Sequence, residues 1–257
     1  MKRPTKDPVD AAAIRAFKSS YGKRASQLPP VAILIAAFNE ERAIGGVIES
    51  LPKTVCGLRI RTIVVSDGSH DATAHAAKIA GALVCDVPVN RGQGAALRLG
   101  YKLARDGGAR YIVTFDGDGQ YNPDDISRIL RPVIDGQADF VSGSRKLGSE
   151  ETKDPVRRLG VWVFARSIRM LTGQRVTDPS FGLRAMKADV TRHVHLVQPQ
   201  YQASELLISV ISRGYRVTEV PASIHKRTFG VSKKGHNAYY GLRFAGVILR
   251  TWWRERR

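Results

Sequence analysis

From Val31 onward the chain alternates between two patterns, and that alternation restricts the fold more than any other feature. Val31-Ala32-Ile33-Leu34-Ile35 is a short apolar run of buried-strand type, and residues 40–51 follow with Ile44, Val47, Ile48 and Leu51 at helical spacing. The pattern recurs with strands expected at 60–66, 83–87 and 111–115 and helices at 71–80, 94–105 and 123–134, where Pro123 suits a first helical turn. Such an order implies one α/β, Rossmann-like domain with a mostly parallel sheet flanked by helices. Ligands of these sheets bind beyond the carboxyl ends of the strands. Chemistry is therefore expected just after residues 35, 65 and 115, where Asn39-Glu40, Asp67-Gly68-Ser69 and Asp116-Gly117-Asp118 stand.

The flanks read differently. Residues 1–30 hold few large apolar side chains and end in Leu28-Pro29-Pro30, so they are expected to form an N-terminal arm with a short helix near 11–17. The main domain is expected over 31–235, and a basic, aromatic helix over 236–257. The 257 residues carry 41 Lys and Arg against 23 Asp and Glu, a formal charge of +18, which points to an anionic partner: nucleic acid, a phosphorylated substrate or a membrane surface. Cys56 and Cys85 belong to no metal-binding spacing, which argues against a disulfide framework and a structural zinc. The longest stretch without charge, 25–39, contains Pro29 and Pro30 and is too short for a membrane span. Lys2 and Arg3 are followed by no apolar signal region, so a cytoplasmic location is expected.

Asp116-Gly117-Asp118-Gly119-Gln120 places two carboxylates two residues apart at a strand end with small residues between them. Oxygen ligands of this kind suit Mg²⁺ or Mn²⁺ and leave room for phosphate oxygens, although a bare DxD also occurs as a solvated turn. The surrounding motifs form an ordered series: Ala36-Ala37-Phe38-Asn39-Glu40, Ser66-Asp67-Gly68-Ser69, Asn90-Arg91-Gly92-Gln93-Gly94, the DxD, Val141-Ser142-Gly143-Ser144-Arg145, and Asp178-Pro179-Ser180-Phe181-Gly182-Leu183-Arg184. Over about residues 31–235 this series resembles family 2 glycosyltransferases of the GT-A fold, and within them the dolichyl-phosphate mannose synthase and polyprenyl-phosphate glycosyltransferase group.

The resemblance implies transfer of a hexose, mannose or glucose, from a GDP- or UDP-sugar to a polyprenyl phosphate, with inversion. It implies that Asp67 meets the nucleotide base, with Gly68 and Ser69 beside it, and that the loop of Ala37, Asn39 and Glu40 cradles the nucleoside. Asp116 and Asp118 would hold the metal and diphosphate, with Gln120 as a further ligand and Asp118 as a catalytic group. Asn90, Gly92 and Gly94 would bring backbone N–H groups of a helix start toward the anion. The Gly92-x-Gly94 pair has Leu97 where a dinucleotide fingerprint needs glycine, and no P-loop is present. The chain departs from the family's PAYNE pattern at Ala36 and Phe38, from DDGS at Ser66, and from D-x-x-S-G-F-R at Phe181 and Leu183. It has no QxxRW, which argues against a processive synthase.

A phosphate monoester acceptor is already ionised and needs cationic positioning, whereas a hydroxyl acceptor needs a base. Arg145, Arg184, Arg227 and Lys233 are the candidate cations, the last two from a segment resembling the family's R-x-x-G-x-S-K; each alone could equally be a solvated surface charge. Asp178 and Glu205 are candidate bases, or ligands for sugar hydroxyls and arginines; Glu205 also reads as a charge opening a helix. On a helix over 157–171, Val161, Phe164, Ala165, Ile168 and Leu171 share a face beside Arg158, Trp162, Arg166 and Arg169, a pattern of an interfacial helix or of core packing. Arg243, Arg250 and Arg254 accompany Phe244, Val247, Ile248, Trp252 and Trp253 near the end of the chain. Peripheral attachment to an anionic cytoplasmic membrane face is the expectation. His193 and His195 alternate in a stretch read as surface strand or loop. The rivals are a family 2 enzyme with a soluble hydroxyl acceptor, a nucleic-acid-binding module, which lacks any signature here, and a non-catalytic scaffold.

Overall fold

The structure is a computed structural model that describes residues 7–151, 155–194, 196–199, 202–226 and 237–256, with the backbone alone for 157, 237–242 and 244. The elements are α1 (Pro8–Tyr21), α2 (Lys23–Ser26), β1 (Val31–Ala37), α3 (Glu41–Ser50), β2 (Thr54–Val55), β3 (Leu58–Asp67), α4 (Thr73–Ile79), β4 (Leu83–Val87), α5 (Gln93–Asp106), β5 (Tyr111–Asp116), α6 (Asp125–Ile134), β6 (Phe140–Glu150), α7 (Pro155–Thr172), β7 (Arg184–Lys187), α8 (Val190–His193), α9 (Gln202–Ser212), β8 (Val217–Ile224) and α10 (Asn237–Glu255).

One sheet runs β2-β3-β1-β5-β7-β6-β8, with β4 pairing the far half of β3. The strands β4, β3, β1 and β5 are parallel, as are β6 and β8. The exceptions are β7, antiparallel to both neighbours, and the short hairpin strand β2. Alternating residues of β1 explain why its run is apolar throughout: Ala32 and Leu34 enter the core layer of α1, α5, α7, α9 and α10, while Val31, Ile33 and Ile35 enter that of α3, α4 and α6. Removing one such side chain leaves a cavity worth about 2–5 kcal/mol.

The N-terminal segment differs from the expected arm. Asp7 caps α1 by accepting the Val9 N–H (2.9 Å), and Ala13 and Phe17 are buried in the sheet's first core layer. Tyr21 Oη accepts the Val84 N–H (3.0 Å), so α1 covers the exposed edge of β4. Residues 190–193 form the short helix α8 instead of a strand, with Val190 buried, and His195 lies outside the described residues. Parallel register brings the loops after β1, β3, β4 and β5 to one rim: Ala36 pairs with Val65 and Asp116, and Asp67 with Val87.

Candidate active site

Asp67 ends β3 almost fully buried, at 2% exposure. Its Oδ2 accepts the N–H groups of Arg91 (3.0 Å) and Gly92 (2.7 Å), which fixes the loop after β4. Its Oδ1 and the neighbouring Ser66 Oγ are buried without a hydrogen-bond partner. Burial pushes the Asp67 carboxyl up, against the two N–H donors that pull it down. An unpaired buried acceptor costs about 1–3 kcal/mol, so Oδ1 stands ready for a donor from outside the chain. Gly68 follows with φ 67°, and a Cβ there would lie 2.2 Å from the Asn90 nitrogen. Only glycine lets the two loops approach this closely.

The loop after β1 is laced to the loop after β3. Asn39, at φ 52°, donates its N–H to Ser69 Oγ (3.1 Å) and accepts the His70 N–H (2.9 Å). Glu40 N–H donates to Thr73 Oγ1 (2.8 Å), and the Thr73 hydroxyl binds Asp71. Asn39, Glu40 and Ser69 therefore shape the rim. Ala37, expected beside them, contributes no side chain to the rim, because its methyl is buried in the core.

At the end of β5, Asp116 is half-buried and Asp118 buried at 8% exposure. Asp116 Oδ1 accepts from Gln93 Nε2 (3.3 Å), and Asp118 Oδ1 accepts the Gln120 N–H (3.2 Å). Beneath them Tyr121 Oη accepts the Gly182 N–H (2.8 Å), and the Tyr121 ring packs on Phe115 and Phe181. Gln120 is tied to the end of β8, its Nε2 donating to the His225 carbonyl (3.0 Å). Among the described residues no group of three His, Cys, Asp or Glu is arranged to hold a metal. Two hard carboxylates at an open rim suit a cation whose coordination is completed by diphosphate oxygens, and do not suit a resident structural ion.

The glycines of the loop after β4 serve packing. Gly94 N–H donates to the Pro199 carbonyl (2.9 Å), and a Cβ on Gly94 or Gly92 would strike Gln198 O or Pro199 O. The N–H groups of Arg91, Gly92 and Gly94, expected to face an anion, are thus engaged within the protein. Asn90 is exposed and accepts the Gly92 N–H (3.1 Å).

Four further sequence candidates are internal. Asp178 is fully buried and grips Arg145 through Nε (2.6 Å) and Nη2 (3.3 Å), an ion pair closed to solvent. Arg145, at 7% exposure, also meets Glu150 (3.5 Å) and Ser180 (3.2 Å) and lies over the Phe181 ring. Phe181, the departure from the family serine, is a core residue filling the space above Gly143. Arg184, at 2% exposure, donates to the Ala203 (2.6 Å) and Pro179 (3.1 Å) carbonyls and braces the chain from inside the sheet. Glu205 is fully buried; it accepts the Val197 (3.0 Å) and Gln198 (2.9 Å) N–H groups and pairs with Arg254 (2.8 Å). Arg227 and Lys233 lie outside the described residues. Gln93, Tyr121 and Glu219, which accepts the Thr177 and Asp178 N–H groups, were not among the expected residues. Gln93 alone had a signal, sitting inside the Gly92-x-Gly94 motif.

Of the two uses expected for the apolar stripe of α7, core packing is the one found. Val161, Ala165 and Ile168 are buried core, whereas Val156, Leu159, Trp162, Val163 and Met170 are exposed on the opposite side with Arg158, Arg166 and Arg169. Trp252 Nε1 on α10 donates to the Leu171 carbonyl (2.7 Å), joining the two helices, and Leu249 and Trp253 add to the exposed apolar surface. No helix among the described residues is long and apolar enough to cross a membrane.

The arrangement is an α/β domain with carboxylates gathered at one rim of a mostly parallel sheet, and comparison with known proteins places it. The model of glycosyl transferase family 2 matches residues 32–194, and the chain belongs to that family. An uncharacterized protein of Methanocaldococcus jannaschii is 33% identical over 84% of this chain and 90% of its own length. The dolichyl-phosphate hexose transferase of Haloferax volcanii is 32% identical over 77% of this chain and 83% of its own. The undecaprenyl-phosphate mannosyltransferase of Micrococcus luteus is 30% identical over 79% and 86%. Among solved structures, glucosyl-3-phosphoglycerate synthase from Mycobacterium tuberculosis, in complex with Mn²⁺, UDP and glucosyl-3-phosphoglycerate, superposes with a TM-score of 0.69 at 20% identity, covering 98% of this chain and 86% of that one. The fold is therefore GT-A.

Proposed function

We propose that this glycosyltransferase moves a hexose from a nucleoside diphosphate sugar to a polyprenyl phosphate, inverting the anomeric carbon, at an anionic membrane face. The observation that carries the acceptor class is the burial of Asp178 and Glu205. These were the two carboxylates expected as base for a hydroxyl acceptor, and both are closed off: Asp178 by the Arg145 guanidinium and the Arg145 N–H, Glu205 by Arg254 and the Val197 and Gln198 N–H groups. A phosphate monoester needs no such base, because near neutral pH it is already a nucleophilic anion. The names of the Haloferax and Micrococcus relatives agree with this reading.

In this reading the rim of Asn39, Glu40 and Ser69 seats the nucleoside, and Asp67 Oδ1 accepts a base N–H. Asp116 and Asp118 would hold Mg²⁺ or Mn²⁺ against the diphosphate, where the ion would offset the charge that develops on the leaving group. Gln93 and Tyr121 keep Asp116 and the strand end in place. Arg227 and Lys233 are assigned to the acceptor phosphate. The exposed apolar face of α7 and α10, edged by Arg158, Arg166, Arg169 and Arg250, is assigned to the lipid surface that supplies the acceptor, which makes the enzyme a peripheral one. Incubating the protein and Mn²⁺ with a panel of labelled nucleotide sugars tests this directly. Label should pass to polyprenyl phosphate in detergent or vesicles; transfer to soluble phosphorylated alcohols in its place would overturn the acceptor assignment.

A further inference from the structure

The positive charge of the chain is not confined to the substrate rim and the exposed helices. At the other end of β5, roughly 17 Å along the strand from Asp116, Tyr111 pairs with Lys187 of β7 and borders a second cleft. It has a volume of about 390 Å³ and is lined by Arg105, Gly108, Arg110, Lys187, Asp189 and Arg192 among others. That volume suits a small phosphorylated molecule.

The charges in this cleft do not balance. Lys187 has Asp139 at 2.6 Å and Arg192 has Asp189 at 3.1 Å. Arg105 and Arg110 belong to no ion pair among the described residues. Arg105 donates Nη1 to the Thr191 hydroxyl (3.1 Å), and the Arg110 guanidinium lies over the Tyr111 ring, 5.7 Å from its centre. Arg105 is half-buried; burial, aided by the like charge of Arg192, lowers its affinity for its proton in spite of Asp106 and Asp189. A cation drawn out of water beside a second cation, without its own carboxylate, is stabilised by an incoming anion. Guanidinium groups are suited to hold phosphate oxygens in pairs.

We propose that this cleft is a phosphate-binding site, separate from the donor site, for a small anion bearing two or more negative charges, such as a phosphate monoester or a diphosphate. Arg105 and Arg110 supply the unpaired charge, and Lys187 and Arg192 complete the wall. The occupant is taken to be a soluble phosphate; an anionic lipid headgroup shares the chemistry and is separated by experiment. The proposal stands independently of the sugar and acceptor used at the rim.

The test is titration of the full chain with inorganic pyrophosphate by calorimetry, at low salt and with a chelator present so that no metal site competes. Wild type should bind one equivalent saturably. An Arg110→Gln and Arg192→Gln double variant, altered at two exposed side chains, should bind at least tenfold more weakly, while Asp118→Asn should match wild type. Absence of saturation, equal affinity in the double variant, or loss in Asp118→Asn would overturn the site. Co-sedimentation with phosphatidylcholine vesicles with and without phosphatidylglycerol supplies the second arm. The double variant should associate as wild type does; lost association without pyrophosphate binding assigns the cleft to a lipid headgroup and also overturns the proposal. Arg105→Gln adds a stronger variant, read only if its thermal unfolding matches that of wild type.

Discussion

The two halves of the sheet put the same residue types to opposite uses. Around β1, β3, β4 and β5, carboxylates follow the strands and stand at the rim: Asp67 with a spare buried oxygen, Asp116 half-buried and Asp118 buried at the end of β5. Around β6, β7 and β8, the acidic and basic residues of equally recognisable motifs turn inward and are held within the chain: Asp178 pairs with Arg145 and Glu205 with Arg254, while Arg184 donates to two backbone carbonyls. A charge at a strand end meets whatever enters the cleft, whereas a charge between packed layers must find its partner within the chain.

Substitutions on each side sharpen the contrast. Asp178→Ala leaves Arg145 buried without its main counter-charge and should lower stability by about 3–5 kcal/mol, read in urea unfolding; a loss under 1 kcal/mol would mean the pair is not internal. Asp118→Asn should reduce sugar transfer by about 10²–10³-fold while changing stability by about 1 kcal/mol or less. Equal damage to folding and transfer in both variants would erase the distinction between the halves.

A smaller effect comes from Asp139, whose carboxyl is held well below the ordinary 3.8, first by the Arg216 side chain and then by Lys187. Because the folded state binds this proton less readily than the unfolded one, its contribution is complete above the ordinary value and is lost as pH falls through the depressed one. With solvent screening, about 1 kcal/mol is at stake. Acid unfolding of Asp139→Asn should therefore lose part of its dependence on pH below 4. Smallest in stability is Leu159→Glu with Met170→Glu, both on the exposed face of α7. Unfolding should shift by less than about 0.5 kcal/mol, yet binding to anionic vesicles should fall, and wild-type binding should weaken as salt rises. Unchanged vesicle binding would remove α7 from the membrane assignment.

Much of the first half was legible because its determinants are local. Periodicity set β1 and α3, expected at 31–35 and 40–51 and found at Val31–Ala37 and Glu41–Ser50. The strand-end rule then located Asp67, Asp116 and Asp118. The strand β7 escaped notice because four residues including an arginine and a lysine carry no strand pattern; it exists through pairing with β5 and β6 on either side. At the N-terminus the expected helix near 11–17 is present as α1, but its docking was not legible, since Ala13 and Phe17 reach the core only where the edge of β4 is covered.

The sequence by itself therefore determined the α/β alternation, the rim of the sheet and the carboxylates on it, because strand and helix periods and the residues that end them are encoded within a few neighbours. Only the tertiary structure decided which charges stand at the rim and which turn inward. Asp178 and Arg145 are 33 residues apart, and Glu205 and Arg254 are 49. Pairing over such separations follows from how layers pack, and that packing also decided that α7 buries one apolar stripe and exposes another.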